Sequence, residues 1–188
     1  MTRGSGLQKS DFRENGVGCI HYGQIYTHYG VFTNETKSFV SNDLAKKLKK
    51  VNKGDLVIAC TSENIEDVCK VVAWLGDEEI VTGGHSTIFK HNQNPKYLAY
   101  YFQTPMFFDQ KKKYASGTKV IEVSAKKLSK INIPIPSLAE QDHIVQILDK
   151  FDALVNDISI GLPAELSARR SQYEYYRNKL LTFKEYAE

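Results

Sequence analysis

The C-terminal part of the chain carries an apolar pattern that a long helix satisfies best. From Leu162 to Ala187 the pattern advances in alternating steps of four and three residues, which is the spacing of a coiled-coil heptad. Its members are Leu162, Leu166, Arg169, Tyr173, Tyr176, Leu180, Phe183 and Ala187. A helix of this length extends for about 35 Å at ~1.5 Å per residue. Because so long an apolar stripe is unfavourable in water, we expect it to pack against another long helix.

A second helix is predicted immediately before it. Ser137 and Glu140 have the spacing of a capping box, in which each side chain accepts a hydrogen bond from the backbone amide of the other residue. Apolar residues then recur on one helical face, at Ile144, Ile147, Leu148, Phe151, Leu154, Val155 and Ile158. Residues 137–188 are therefore predicted to form a helical hairpin or coiled-coil region that follows a separate domain at 1–136.

Charge is divided between the same two regions. Residues 1–136 contain 19 Lys and Arg against 13 Asp and Glu, a net charge of +6. Residues 137–188 contain 6 against 9, a net charge of −3. The basic region is thus expected to face a polyanion, and the acidic region to contact protein.

The first region is predicted to be an α+β domain with a curved, mostly β core. Strands are expected at 16–23, 24–32, 56–60, 68–74, 80–89, 120–123 and 131–135. Short helices are expected at 42–50 and from Pro95, the latter restarting at Pro105. The pair Gly83-Gly84 is expected to bend the strand that contains it. The fold class of the chain is therefore α+β, a mixed and mostly β domain followed by long helices.

The sequence contains residue types that occur in active sites, but not at the spacings that metal binding or cofactor binding requires. His21, His28, His85 and His91, taken with the three cysteines, show no metal-ligand pattern, and no glycine-rich phosphate loop joins a strand to a helix. Asn94-Pro-Lys-Tyr97 resembles the Asn-Pro-Pro-Tyr box of adenine methyltransferases, but a lysine replaces the second proline. The sequence therefore predicts a protein that is not an enzyme and that holds no cofactor and no metal.

The cysteines and the hydropathy pattern indicate the cellular compartment of the protein. Cys19, Cys60 and Cys69 are an odd number without paired spacing, as is typical of reduced thiols in the cytoplasm. We find no apolar run of membrane-spanning length and no signal peptide. A cytoplasmic protein with no membrane partner is predicted.

Three loops, at 3–9, 83–87 and 111–119, combine small residues with polar and basic side chains. Such loops suit DNA, since its phosphates require cations and its base edges require hydrogen-bonding side chains. The predicted base-reading residues are Gln8, Gln24, His28, His85 and Thr118. The predicted phosphate contacts are Arg3, Lys9, Lys111, Lys112, Lys113 and Lys119. For each loop taken alone, an ordinary solvated surface loop is an equally good interpretation.

Several stretches carry a resemblance to a known family. They are residues 3–12, 19–27, 53–58, 117–119, 133–141, 162–166 and 172–183. The most specific are Ile133-Pro-Ile-Pro-Ser-Leu-Ala-Glu-Gln141, which leads into the first long helix, and Gln172-Tyr-Glu-Tyr-Tyr-Arg-Asn-Lys-Leu-Leu-Thr-Phe183. In this order they resemble the specificity subunit of bacterial type I restriction–modification systems.

That resemblance implies a non-catalytic subunit that reads DNA. A specificity subunit of this family has two target-recognition domains separated by two long helices, and each domain reads one half of a split target. The helices set the spacing and dock modification subunits, which methylate adenine using S-adenosylmethionine. A further subunit translocates and cleaves the DNA. With one recognition domain and one helical region, this sequence resembles half of such a subunit.

We therefore expect a half-subunit that forms a homodimer and binds double-stranded DNA. The expected dimerisation residues are Leu162, Leu166, Arg169, Tyr173, Tyr176, Leu180 and Phe183. A two-fold dimer calls for a palindromic, bipartite target with half-sites about one helical turn (~34 Å) apart. The expected partners are the methyltransferase (M) subunit and, through the complex, the restriction (R) subunit. The alternative is a coiled-coil scaffold, or a silent cassette fragment, that does not read DNA by itself.

Overall fold

The structure, a computed structural model, describes residues 1–156 and 161–181. The chain divides into two compact units, Met1–Gln141 and Asp142–Glu188. Within the described ranges, no helix is long and apolar enough to cross a membrane.

A five-stranded sheet forms the centre of the first unit. Its strands are β1 (Thr2–Arg3), β3 (Phe32–Thr33), β6 (Leu56–Ala59), β8 (Val71–Trp74) and β10 (Ser86–Phe89), in the order β1-β10-β6-β8-β3. β6 is antiparallel to both β8 and β10, and β3 is parallel to β8. Every residue of β6 and β8 is buried, as expected for apolar strands covered on both faces.

A four-stranded sheet packs against the first. It consists of β2 (Val17–Ile20), β4 (Ser38–Val40), β5 (Lys49–Val51) and β9 (Ile80–Thr82), in the order β4-β2-β9-β5. One buried apolar cluster combines Val57, Val72 and Ile88 of the central sheet with Ile20 and Ile80 of this one. A short ribbon, β7 (Thr61–Ser62) with β11 (Ile121–Glu122), completes the strands.

The helices are short in the first unit and long in the second. They are α1 (Tyr22–Thr27), α2 (Asn42–Ala45), α3 (Pro95–Tyr101), α4 (Pro105–Tyr114), α5 (Ala125–Leu128), α6 (Leu138–Asn156) and α7 (Leu162–Leu181), with a 3-10 turn at Lys9–Asp11. The predicted α+β class is confirmed. The starts of α3 and α4 are also as predicted, because Asn94 and Thr104 cap them and a proline occupies the first turn of each.

Three predictions of secondary structure are wrong. The predicted strand at 24–32 begins within α1, because the Nδ1 atom of His21 accepts a hydrogen bond from the amide of Gly23 (3.1 Å) and caps the helix. The predicted helix at 42–50 ends at Ala45, and β5 begins four residues later. Residues 131–135 form no ladder and are held by side chains, including the Tyr97 hydroxyl, which donates to the carbonyl of Pro134 (2.8 Å).

Gln141 fixes the first turn of α6 within the first unit. Its Oε1 atom accepts from the amide of Asn94 (2.9 Å), and its Nε2 atom donates to Oε1 of Gln93 (2.8 Å) and to the carbonyl of Pro136 (2.9 Å). The residue is 0% exposed, so these bonds supply the partners that buried amide groups require.

The start of α6 bears out half of the predicted capping box. The Ser137 hydroxyl accepts a hydrogen bond from the amide of Glu140 (3.3 Å). This bond satisfies one of the backbone amides that a helix leaves unpaired in its first turn.

The long helices expose many of their apolar residues in the second unit, although Val145 of α6 is buried. On α7 the expected dimerisation residues Leu162, Leu166, Tyr173 and Tyr176 are 52–66% exposed. Arg169 contributes an ion pair with Glu165 one turn earlier (3.8 Å). The side chain of Leu180 and all of Phe183 lie outside the described residues. On α6, Phe151 is 60% exposed.

Candidate nucleic-acid interface

Two of the three predicted DNA-binding loops lie against each other. β1 pairs with β10, which places Arg3 opposite Thr87, and the amide of Gly4 donates to the carbonyl of Ser86 (2.9 Å). A Cβ atom at Gly4 would collide with the carbonyl oxygen of Gly83, so this close backbone approach requires glycine. The loops at 3–9 and 83–87 therefore form one continuous surface.

Arg3 is held by two partners at this junction. Its Nη1 atom lies 2.9 Å from a carboxylate oxygen of Glu122, and its Nε atom donates to the carbonyl of Gly84 (3.0 Å). The Arg3 side chain is nevertheless 52% exposed. Its charge is thus partly offset by a carboxylate, while part of the guanidinium still faces solvent.

His85 is held in a comparable way beside it. Its Nδ1 atom lies 3.1 Å from Oγ1 of Thr61, and its ring packs 4.8 Å from the ring of Tyr22. Thr61 and Glu122 are directly opposite each other in the pairing of β7 with β11. The ribbon therefore supports both exposed side chains. We call this group the Arg3–His85 cluster; it comprises Arg3, Thr61, Gly84, His85 and Glu122.

The third predicted loop joins the cluster through β11. The amide of Ser116 donates to the carbonyl of Glu122 (3.0 Å), and the amide of Glu122 donates back (2.8 Å). Thr118 and Lys119 lie in the exposed turn between these two residues, where Gly117 has a positive φ of 114°. All three loops therefore converge on one part of the first unit.

Lys111 requires a correction. This residue is 4% exposed, and its ammonium group donates to the carbonyls of Glu66 (2.8 Å) and Val68 (2.6 Å). Burial lowers the pKa of the Lys111 ammonium. The predicted phosphate contact is wrong for Lys111, because the group points into the protein. Lys112 and Lys113 are exposed, and Lys112 lies 3.7 Å from Asp109.

Gln24 lies in the first turn of α1, and His28 follows the last residue of that helix. The amide of Gln24 is already engaged, since its Nε2 atom donates to the Ser38 hydroxyl (2.6 Å) and its Oε1 atom accepts from the amide of His21 (3.2 Å). His28 is exposed, with its ring 4.9 Å from that of Tyr29. Gln24 is therefore the less accessible of these two predicted base-reading residues.

Gln8 and Lys9 lie at the exposed 3-10 turn of the first loop. The backbone amide of Gln8 donates to the carboxylate of Asp11 (2.8 Å). Both side chains are exposed, and their roles in contacting DNA stay predictions.

Sequence reasoning did not find Thr61 or Glu122. Neither residue belongs to a polar loop, and no local motif marks them. Their relevance follows from a strand pairing that joins segments about sixty residues apart in the chain. Tyr26 contributes to the same region, because its hydroxyl donates to the carbonyl of Thr61 (2.7 Å).

The cysteines and acidic residues form no reactive centre in the described part of the chain. There, no group of three His, Cys, Asp or Glu side chains is placed to hold a metal ion. Burial raises the pKa of Cys19 and Cys69 to about 12 and that of Cys60 to about 11. Because a thiolate is the reactive form of cysteine, these buried thiols serve as small packing residues.

Residues 3–168 match the family described as the type I restriction modification DNA specificity domain. The chain belongs to this family. The resemblance found in the sequence is thereby confirmed. Specificity subunits of type I systems are non-catalytic, so this domain is a specificity component and not an enzyme.

Relatives of this specificity domain include characterised and putative subunits. The chain is 50% identical over 68 residues to the EcoR124I/EcoR124II specificity subunit of Escherichia coli, covering 36% of this chain and 17% of the relative. It is 29% identical over 161 residues to a putative type I specificity subunit of Haemophilus influenzae, covering 82% and 40%. The chain thus spans two fifths or less of the length of these two curated relatives.

A solved structure has a similar fold. The specificity domain aligns with a chain of a type I R-M system with a TM-score of 0.51 and 17% identity, covering 94% of this chain and 39% of that one. At this identity the likeness concerns the fold alone.

Proposed function

We propose that the first unit reads one half of a bipartite target in double-stranded DNA, as a half-subunit of a type I restriction–modification complex. The observation that carries this proposal is the convergence of three polar loops on the Arg3–His85 cluster, in a chain that belongs to a DNA specificity domain family. Exposed polar side chains fixed by a rigid scaffold are suited to base edges. This function takes place in the bacterial cytoplasm.

Exposed lysines around these loops supply the phosphate contacts in this proposal. Lys9, Lys112, Lys113 and Lys119 are all exposed, and residues 1–136 carry a net charge of +6. Phosphate contacts position a protein on the duplex without reading its sequence. The lysines therefore provide affinity, whereas the cluster provides selectivity.

The second unit provides pairing and docking in this proposal. Leu166, Tyr173 and Tyr176 of α7 expose apolar or aromatic surface, which supports a homodimer formed through the helices. The exposed residues of α6 then remain for the methyltransferase subunit, and the restriction subunit joins through that complex. A two-fold dimer reads a palindromic target.

Selection from randomised duplexes tests the proposal directly. The full chain, alone and with its methyltransferase subunit, should enrich one short motif. Affinity for that motif should fall about a thousand-fold between 50 and 200 mM salt, because several phosphate contacts release counterions. Enrichment of no motif in either preparation would contradict the proposed function.

A scaffold that does not read DNA is the second candidate. The offset of the Arg3 charge by Glu122 favours it, since this pair reduces the positive potential of the surface. A scaffold should still bind the methyltransferase subunit, and its weak affinity for DNA should be the same for every sequence. The same selection experiment therefore separates the two candidates.

A further inference from the structure

We propose that the Arg3–His85 cluster is a preorganised base reader, in which Arg3 contacts a guanine, His85 contacts the neighbouring base, and Glu122 and Thr61 are positioning residues. This inference rests on the proposed function and deepens it. It also changes the role of Arg3, which the sequence pattern assigns to a phosphate. The geometry of the cluster points to a base edge instead.

The first step concerns the charge of Arg3. A phosphate contact relies on net positive charge, and the Glu122 carboxylate at 2.9 Å offsets that charge. A base contact relies on directional N–H donors, which the carboxylate leaves intact. The contacts of Arg3 with Glu122 and with the carbonyl of Gly84 engage two of the five N–H groups of its guanidinium. Donors that remain match the O6 and N7 acceptors of guanine in the major groove.

The second step concerns orientation. Glu122 holds one edge of the guanidinium and the carbonyl of Gly84 holds Nε, so the Arg3 side chain is fixed before DNA arrives. An arginine that contacts phosphate needs no such fixing, because phosphate oxygens accept from many directions. For an arginine that reads a base, this restriction lowers the entropy lost on binding, because the rotamers of the long side chain are already limited in the free protein.

The third step concerns His85. Thr61 contacts Nδ1 and Tyr22 packs on the ring, while the carbonyl of His85 accepts from the amide of Cys60 (2.8 Å). Both the backbone and the ring of this exposed residue are therefore held. Because a hydroxyl can donate to Nδ1 or accept from it, Thr61 fixes the orientation of the ring and thereby directs Nε2, whichever nitrogen carries the proton.

The fourth step concerns the spacing of the two readers. Gly84, whose carbonyl holds Arg3, immediately precedes His85 in the chain. Glu122 and Thr61, the two positioning residues, are cross-strand neighbours in the ribbon. Because side chains held by adjacent supports reach adjacent positions, we assign them to neighbouring bases of one half-site.

The test is selection from randomised duplexes with the full chain and its methyltransferase subunit, comparing wild type with Arg3→Lys, Glu122→Gln, Thr61→Val and Thr61→Ser. Arg3→Lys keeps the charge and loses the planar fork, so preference for guanine at one position should fall at least about five-fold. Glu122→Gln should relax the same position. Thr61→Val should relax the neighbouring position, and Thr61→Ser, which restores the hydroxyl, should restore its preference.

Lys119→Met is the matched control for a phosphate contact. It should weaken binding to all sequences equally and reduce the salt slope by about one. Arg3→Ala is selected in the same way. If it behaves like this control, Arg3 contacts a phosphate and the inference is overturned. If Arg3→Lys leaves every preference unchanged, the Arg3–Glu122 pair is a surface ion pair only, and the inference is likewise overturned. If wild type selects no motif, the proposed function itself fails.

Discussion

The two units of this chain differ in which side chains they bury and which they expose. In the first unit even an ammonium group and an amide are buried and hydrogen-bonded, as Lys111 (4% exposed) and Gln141 (0%) demonstrate. In the second unit large apolar residues face solvent, including Phe151 (60%) and Tyr173 (66%). The difference indicates that the first unit is stabilised from within, whereas the second presents a surface suited to association.

The largest expected effect is on the first unit. Lys111→Met should lower the free energy of unfolding by about 3 kcal/mol, because it leaves the buried carbonyl of Val68 and the partly buried carbonyl of Glu66 without this donor. Urea denaturation measures this change. Lys113→Met, a substitution on the exposed face of the same helix, should change stability by less than about 0.5 kcal/mol. If Lys111→Met leaves stability unchanged and weakens DNA binding, Lys111 contacts a DNA phosphate, as the sequence predicts.

A smaller loss is expected at the first turn of α6, which belongs to the first unit. Gln141→Ala should cost about 2 kcal/mol, since it removes the hydrogen bonds to Asn94, Gln93 and Pro136. The exposed neighbour Glu140 provides the control, and Glu140→Ala should be close to neutral. Equal effects of the two substitutions would show that the buried amide does not stabilise the first unit.

For the second unit we expect an effect on association without an effect on folding. Tyr176→Asp places a charge on the exposed surface of α7, and should raise the dissociation constant of the homodimer at least about ten-fold. Light scattering measures this constant. Stability of the first unit should stay within about 0.5 kcal/mol of wild type. Ser171→Asp lies at the f position, on the face of α7 opposite the apolar seam, and is the control. A wild-type monomer at micromolar concentration would refute the dimer.

The smallest effect concerns pH. Burial, with smaller contributions from Lys9 and His85, lowers the pKa of His21. The unfolded chain therefore binds the proton first, and the free energy of unfolding should fall as the pH drops below about 6.5. His21→Asn retains a cap for α1 and should reduce this fall by less than about 1 kcal/mol between about pH 7.5 and 5.5. Urea denaturation at the two pH values measures the free energy of unfolding. If this free energy falls equally in wild type and in His21→Asn, His21 does not contribute to the pH dependence of stability.

Local signals in the sequence correctly predicted several elements. The Asn94-Pro and Thr104-Pro pairs mark the starts of α3 and α4, because capping and proline act within a single turn. The Ser137 cap belongs to the same class. A histidine cap is less common, which is why the helix after His21 was predicted as a strand.

Contacts between segments that are distant in the chain could not be predicted from the sequence. The sequence alone does not show which of the lysines at 111–113 is buried. Lys111 differs from its neighbours only because it packs against the Glu66–Val68 segment. The candidate site shows the same limit, since its loops and the strand at 120–123 were predicted but the pairing of β11 with β7 was not.

The central claim is that the first unit reads the sequence and the second sets the pairing of two copies. Motif selection with wild type and with Tyr176→Asp, each as the full chain with its methyltransferase subunit, tests this claim most directly. The account predicts a palindromic motif with fixed spacing for wild type, and the same half-site without its partner for Tyr176→Asp. A different half-site in the variant, or a single half-site for wild type, would contradict the account.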